Sequence, residues 1–171
     1  DVMVNVQRPA EHEGKLWSFA LVVQDIFSRF AWAELIDSPM HADEGLRKIF
    51  ERAKPPGEIL TDADPGFRTP EFEALLREKG VVQEFRAGRN DMATVDRLIF
   101  ALKRAMAEEE AETGRGWAAA LQDVVRGHNE SGQSHLYGAA PEDVRDHKSA
   151  TLEFDLEWDE SHAMLKNAKR I

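Results

Sequence analysis

The chain has no cysteine among its 171 residues and only one tyrosine. Without cysteine there is no disulfide, no thiol nucleophile and no thiolate metal site. No apolar run approaches the roughly 20 residues that a membrane-spanning helix needs, and no stretch has the pattern of a secretory signal peptide. We therefore expect an intracellular protein, in the nucleus or cytoplasm, with no membrane partner.

Positive charge is also in short supply, since 22 lysines and arginines face 32 aspartates and glutamates, for a formal net charge of −10. Proteins that coat nucleic acids non-specifically use lysine and arginine to neutralise phosphates, so this balance argues against that class. It leaves open a site in which carboxylates hold metal ions that in turn act on phosphates. The length fits one domain with a proper core. Because the chain begins at Asp1 and not at methionine, we expect a fragment of a longer protein.

The first third of the sequence predicts three strands. Residues 1–6 are rich in β-branched side chains, residues 16–25 read LWSFALVVQD, and residues 30–36 read FAWAELI. The near-continuous apolar character of residues 16–25 indicates burial on both faces, hence a central strand. Residues 8–15, which include Pro9 and Gly14, predict a hairpin loop. These strands are expected to form an antiparallel meander.

Helical periodicity begins near residue 41 and then alternates with strands. Helices are predicted at 41–53, 69–80, 93–112 and 117–128, with a further helical turn at Pro141, and strands at 58–62 and 81–85. The order β-β-β-α-β-α-β-α-α predicts an α/β, ribonuclease-H-like fold. Its five-stranded mixed sheet would hold three antiparallel strands followed by parallel strands, flanked by helices.

Asp62 stands where the strand after the breaker Lys54-Pro55-Pro56-Gly57 is expected to end. A carboxylate at the C-terminal end of a strand is held by the sheet and open to a substrate. The sequence Asp-Ala-Asp-Pro-Gly that begins there is also ordinary turn chemistry. The stretch by itself leaves both a functional and a structural interpretation open.

Three blocks of sequence carry a resemblance to a known family. Residues 22–32 (VVQDIFSRFAW) are similar to a V-V-D-x-F-S-R-F-x-W signature, residues 60–67 (LTDADPGF) to a T-D-N-G-x-E-F block, and residues 93–103 (ATVDRLIFALK) to A-x-V-E-R-x-N-x-T-L-K. His128-Asn129, His135, Gly138 and Pro141 add a weaker likeness. Over residues 1–144 the chain resembles the catalytic core of a retroviral or retrotransposon integrase, a DDE recombinase.

The resemblance implies a catalytic core over residues 1–147 and a C-terminal extension or arm over residues 148–171. Within the arm, Leu152, Phe154, Leu156 and Trp158 alternate, as in a short strand or a segment that docks on a partner. The resemblance also implies DNA as the partner, both element ends and target, and pairing of the core as a homodimer.

By position, the family's catalytic and metal-binding carboxylates fall on Asp1, Asp62 and Asp96, the last two separated by 34 positions. Two Mg²⁺ or Mn²⁺ ions about 4 Å apart would stabilise the attacking and leaving oxygens of an in-line displacement at phosphorus. The implied reactions are trimming of DNA ends by water and strand transfer by a 3′-hydroxyl. Basic residues near this set could contact phosphates, although exposed charges are also ordinary surface: Arg86, Arg89, Arg97, Lys103 and Arg104.

The sequence also departs from the family's pattern. Asp96 replaces a glutamate, Ala63-Asp64 replaces Asn-Gly, Gly66 replaces a glutamate, and Ile99 replaces an asparagine. These changes and the acidic composition favour an alternative: an integrase-derived binding or assembly module that has lost its chemistry.

Two further sets of polar residues have structural interpretations. Asp25 occupies a position that is often acidic in the family without binding metal, and is expected to be a structural residue at a strand end. His128 and His135 lie close in sequence, but no third histidine or cysteine joins them at zinc-ligand spacing.

Overall fold

The computed structural model describes residues 2–4, 8–86, 93–136 and 138–146. Asp1, Arg89 and the predicted extension at 148–171 lie outside the described residues, so the expectations placed on them stay predictions. The chain forms two compact units. One contains the described residues of Asp1–Gln24 and Ala31–Gly127, and the other those of Asp25–Phe30 and His128–Ile171.

The order of elements follows the order predicted from the sequence, with one added hairpin. The strands are β1 (Val2–Val4), β2 (Ala10–His12), β3 (Lys15–Trp17), β4 (Phe19–Gln24), β5 (Ala31–Ile36), β6 (Glu58–Thr61) and β7 (Val82–Phe85). The helices are α1 (Ala42–Arg52), α2 (Pro70–Lys79), α3 (Ala93–Thr113), α4 (Trp117–Glu130) and α5 (Pro141–Asp146). Short 3₁₀ turns occupy Pro39–His41, Pro65–Arg68 and Ser134–Leu136.

Strand β4 is central in an antiparallel sheet of order β1-β4-β5. It pairs with β1 at Val2↔Leu21 and with β5 at Phe19↔Ile36. Strands β6 and β7 form a parallel pair. The predicted combination of three antiparallel strands with parallel strands and flanking helices is therefore confirmed. In the described part of the chain the ladders group as β1-β4-β5, β2-β3 and β6-β7.

Both faces of β4 are buried, which is what its apolar run predicted. Ala20 and Val22 point into a core formed with α3 and α4, whereas Leu21 points into a second core formed with α1 and α2. Successive side chains of a strand face opposite sides, so helices cover both faces of the sheet within this unit. Among the described residues, no helix has the length and apolarity needed to cross a bilayer.

Residues 8–25 differ from the prediction of a loop followed by one long strand. The strand is interrupted at Ser18, because β3 pairs with β2 whereas β4 pairs with β1 and β5. Glu13 and Gly14 connect β2 to β3 with positive φ angles of 51° and 73°. Positive φ at both central residues marks a type I′ hairpin turn, which suits the twist of the two strands. The hairpin was missed because its strands have three residues each, too few to show an alternating pattern.

Helix α1 approaches the sheet closely at Gly45. A Cβ atom at this position would lie 2.8 Å from Ile36 Cγ2 and 3.2 Å from Leu21 Cβ. Both partners are buried, so they have little room to move. Glycine is therefore required by packing in the middle of a helix, where it otherwise costs stability.

We expect Gly45→Val to lower the free energy of unfolding by about 1–3 kcal/mol, because the added atoms overpack the α1–sheet contact. The matched control is Gly127→Ala in α4, where a Cβ would meet nothing within 4 Å. That change should raise stability by up to about 1 kcal/mol through helix propensity. Urea unfolding measures the free energy of unfolding of both variants. A Gly45→Val protein as stable as the wild type would contradict the tight packing.

Candidate active site

Asp62 lies directly after β6 and is half-buried. Its Oδ1 accepts a hydrogen bond of 3.2 Å from the backbone N–H of Asp64, which orients the carboxylate. On the neighbouring strand, the N–H of Arg86 donates to the carbonyl of Thr61 at 2.8 Å. Because β6 and β7 are parallel, Asp62 and Arg86 follow the same end of two adjacent strands. Asp62 and Arg86 are therefore neighbouring positions at this end of the sheet.

The loop after Asp62 is tied to β7 by the side chain of Gln83. The Gln83 Nε2 group donates to Thr61 Oγ1 and to the carbonyl of Phe67, both at 2.9 Å. Thr61 is 3% exposed, so these bonds lie away from bulk water. The amide thus links the residue before Asp62 to the 3₁₀ turn after it. Gln83 was not among the residues predicted for the site, and its signal in the sequence was a polar side chain inside a short strand.

The other side of the same loop packs against the turn at Pro39–His41. A Cβ atom at Gly66 would lie 2.1 Å from the Pro39 carbonyl oxygen, so no side chain fits there. Phe67 is buried and meets the Phe72 ring edge to face, with 5.3 Å between ring centroids. The glutamate that the integrase pattern places at position 66 has no room in this loop.

Asp96 lies in the first turn of α3 and is exposed. Val95 and Leu98 on either side of it are buried and hold this turn against the core. The Asp96 side chain therefore faces solvent and does not enter apolar packing, and it belongs to the same compact unit as Asp62. Among the described residues no three histidines, cysteines or carboxylates gather at metal-binding distance. Of the three predicted metal ligands, Asp62 and Asp96 are described, and Asp1 lies outside the described residues.

Four of the five predicted DNA-contacting residues are described. Arg97, Lys103 and Arg104 are exposed on α3, and Arg104 Nε forms a 3.0 Å ion pair with Glu108. Arg86 is half-buried at the end of β7. Phe100 was not among the predicted residues, and its 72% exposure is large for an aromatic side chain on a helix. Its signal was its place off the apolar stripe that contains Leu98 and Leu102.

Asp25 and His128 belong to the second compact unit, where both have structural roles. Asp25 Oδ2 accepts hydrogen bonds from the backbone N–H of Ser28 at 2.7 Å and from Ser28 Oγ at 2.6 Å, closing a tight turn. His128 Nε2 lies 3.2 Å from the carbonyl oxygen of Arg29. Burial lowers the pKa of His128, and its bond to the Arg29 backbone acts in the opposite direction.

Neither a protein-family profile nor a curated protein sequence matches the chain. Solved structures do match. A chain of the simian T-cell lymphotropic virus intasome, in complex with PP2A regulatory subunit B56 gamma, superposes over 86% of this chain with a TM-score of 0.73 and 16% identity. This chain spans about half of that one, 52% of its length.

Two isolated catalytic core domains agree with this match. The HTLV-2 integrase core in complex with magnesium gives a TM-score of 0.65 at 14% identity, covering 82% of this chain and 89% of its own. The BIV integrase core gives 0.63 at 18% identity, covering 74% and 84%. This chain has the fold of a retroviral integrase catalytic core. The integrase-core fold is ribonuclease-H-like, as its strand order predicted. At these sequence identities the matches establish the fold of this chain and not its chemical activity.

Proposed function

We propose that this chain is the core of an integrase-type polynucleotidyl transferase that uses Mg²⁺ or Mn²⁺ to process DNA ends and join them to target DNA. One observation carries the proposal: within an integrase-core fold, Asp62 leaves the end of β6 on a loop anchored on both sides. Such anchoring suits a metal ligand, because Mg²⁺ demands near-ideal octahedral geometry. The HTLV-2 core, which shares the fold, was solved in complex with magnesium.

The donor chemistry fits hard divalent cations. Asp62, Asp96 and Asp1 offer carboxylate oxygens, the ligand type that Mg²⁺ and Mn²⁺ prefer. When bound, the ions would stabilise charge on the attacking and leaving oxygens. Asp62 is held by the sheet and Asp96 by the buried first turn of α3, so both would be preorganised. Arg86, beside the end of β6, is placed to contact a phosphate of the same DNA end.

Helix α3 supplies the surface proposed to hold DNA. Arg97, Lys103 and Arg104 present positive charge on the helix that carries Asp96, although the chain as a whole is acidic. Phosphate contacts of this kind position a duplex without reading its sequence. Phe100 stands among these cations and is exposed, so it can stack on an unpaired base near the cut end.

A homodimer and an intracellular location complete the proposal. The HTLV-2 core was solved in dimeric and trimeric forms, which supports self-association of this fold. DNA, the proposed substrate, places the protein inside the cell, in the nucleus or cytoplasm.

A second function, a binding or assembly module without chemistry, is favoured by particular residues. Asp96 is shorter than the glutamate of the integrase pattern, and Ile99 is a half-buried apolar residue that packs on the core where the pattern has a polar one. Gly66 likewise removes a carboxylate from the loop after Asp62. In this alternative the protein uses the fold as a binding surface for a partner or for a second copy of the chain.

The variant Asp96→Glu separates the two functions. The longer side chain extends the carboxylate by about 1.5 Å, one carbon–carbon bond. Because a misplacement of about 1 Å can cost about 100-fold in rate, we expect Asp96→Glu to increase Mn²⁺-dependent nicking of plasmid DNA about 10- to 100-fold over the wild type.

The control is Asp96→Asn, which keeps the size of the native side chain, removes its charge and should be inactive. If neither the wild type nor Asp96→Glu cuts DNA in the presence of metal, and both remain folded, the enzymatic proposal fails and the assembly module stands.

A further inference from the structure

We infer that Gln83 is a positioning residue for Asp62. This role rests on the proposed function, because it requires Asp62 to bind a metal ion. Gln83 lies in the middle of β7, where its neighbours Val82 and Glu84 are exposed while its own side chain is half-buried. Its amide faces inward because two acceptors lie there, Thr61 Oγ1 and the Phe67 carbonyl oxygen. One side chain therefore satisfies two polar groups that belong to a different part of the chain.

These two acceptors flank the candidate ligand in sequence. Thr61 comes directly before Asp62, and Phe67 lies within the 3₁₀ turn that follows it. By bonding to Thr61 and Phe67, at the two ends of the loop that contains Asp62, Gln83 limits movement of the backbone that carries the Asp62 carboxylate. The Asp64 N–H bond to Asp62 Oδ1 then fixes the orientation of the side chain within that loop. Two bonds from the neighbouring strand and one within the loop therefore restrict the position of the carboxylate.

Groups that orient a metal ligand without touching the metal usually contribute about 10- to 100-fold in metal affinity. Loss of the Gln83 amide should therefore weaken divalent-cation binding without abolishing it. A purely structural hydrogen bond elsewhere in the unit should not affect metal affinity. This difference separates a positioning role from general stabilisation.

The test is a Mn²⁺ titration followed by water-proton relaxation. Gln83→Leu keeps a similar volume and removes both hydrogen bonds, and we expect its affinity for Mn²⁺ to fall about 10-fold. The matched control is Gln122→Leu, because Gln122 Nε2 also donates to a backbone carbonyl, that of Ala33 at 2.8 Å. Gln122→Leu should bind Mn²⁺ as the wild type does. Urea unfolding of both variants shows whether their losses of stability are comparable.

A second pair of variants keeps the inference testable if Gln83→Leu fails to fold. Thr61→Val removes the Oγ1 acceptor at nearly constant shape, whereas Thr61→Ser retains it. We expect Thr61→Val to weaken Mn²⁺ binding by several-fold and Thr61→Ser to restore most of it. Equal binding by these two variants would overturn the positioning role.

Asp62→Asn in the same titration keeps this inference separate from the proposed function. If Asp62→Asn binds Mn²⁺ as tightly as the wild type, Asp62 is not a metal ligand and the proposed metal site fails. If Asp62→Asn loses binding while Gln83→Leu matches Gln122→Leu, the site stands and Gln83 is only structural.

Discussion

Asp62→Asn is expected to weaken Mn²⁺ binding by at least about 100-fold, because loss of a direct ligand exceeds the loss seen for outer-shell groups. The substitution removes the negative charge and keeps the size of the side chain. The asparagine Oδ1 can still accept the hydrogen bond that the Asp64 N–H donates at 3.2 Å. The loop should therefore stay folded, so any loss of binding reports on the carboxylate. Isothermal titration calorimetry measures the change.

Asp64→Asn provides the control for Asp62→Asn. Asp64 lies two positions later in the same loop, is exposed, and loses the same unit of charge on substitution. We expect its Mn²⁺ affinity to remain within about two-fold of the wild type, since exposed charges in water interact weakly. Equal losses in both variants would show that the loop attracts cations through its overall charge, and that Asp62 is not a ligand.

Gly66→Ala is expected to lower the free energy of unfolding by about 1–3 kcal/mol, or more if the two turns cannot separate. The new Cβ atom would lie 2.1 Å from the Pro39 carbonyl oxygen, which is a backbone atom and cannot rotate away. For a chain of this length, 1 kcal/mol corresponds to a shift of about 2–4 °C in Tm. We also expect weaker Mn²⁺ binding, since the displaced loop is the one that carries Asp62.

The control for Gly66→Ala is Gly57→Ala, in the loop that precedes β6. A Cβ atom at Gly57 would meet nothing within 4 Å, so its Tm should change little. Thermal unfolding measures the Tm of both variants. If Gly66→Ala has the same Tm as Gly57→Ala, the contact between Gly66 and Pro39 is loose and does not anchor the loop after Asp62.

Local signals in the sequence were sufficient for most of the elements. Helix α2 begins where Thr69 and Pro70 predict, with Thr69 Oγ1 accepting from the Phe72 N–H at 3.1 Å, and ends at Gly80 with a positive φ of 67°. Capping and breaker residues act within a few positions along the chain, so their effects are visible in sequence. The apolar run of β4 predicted its central place for a similar reason, because burial on both faces leaves no polar side to the strand.

The support of the candidate site depends on contacts between distant segments, and sequence reasoning did not find it. Gln83 reaches Thr61 from another strand, and Gly66 meets Pro39 from another turn. Neither residue has a local pattern that names its partner. The β2–β3 hairpin was missed for a different reason, since its strands have three residues each, too few to show an alternating pattern.

By itself, the sequence determined the α/β class, the order of strands and helices apart from the β2–β3 hairpin, and the placement of Asp62 at a strand end, because periodicity, caps and breakers are local properties. Only the tertiary structure decided that Phe100 is exposed, that position 66 must be glycine, and that one amide of β7 anchors the loop carrying Asp62. These features depend on which segments meet in space, and such meetings follow from the packing of the whole unit around both faces of β4.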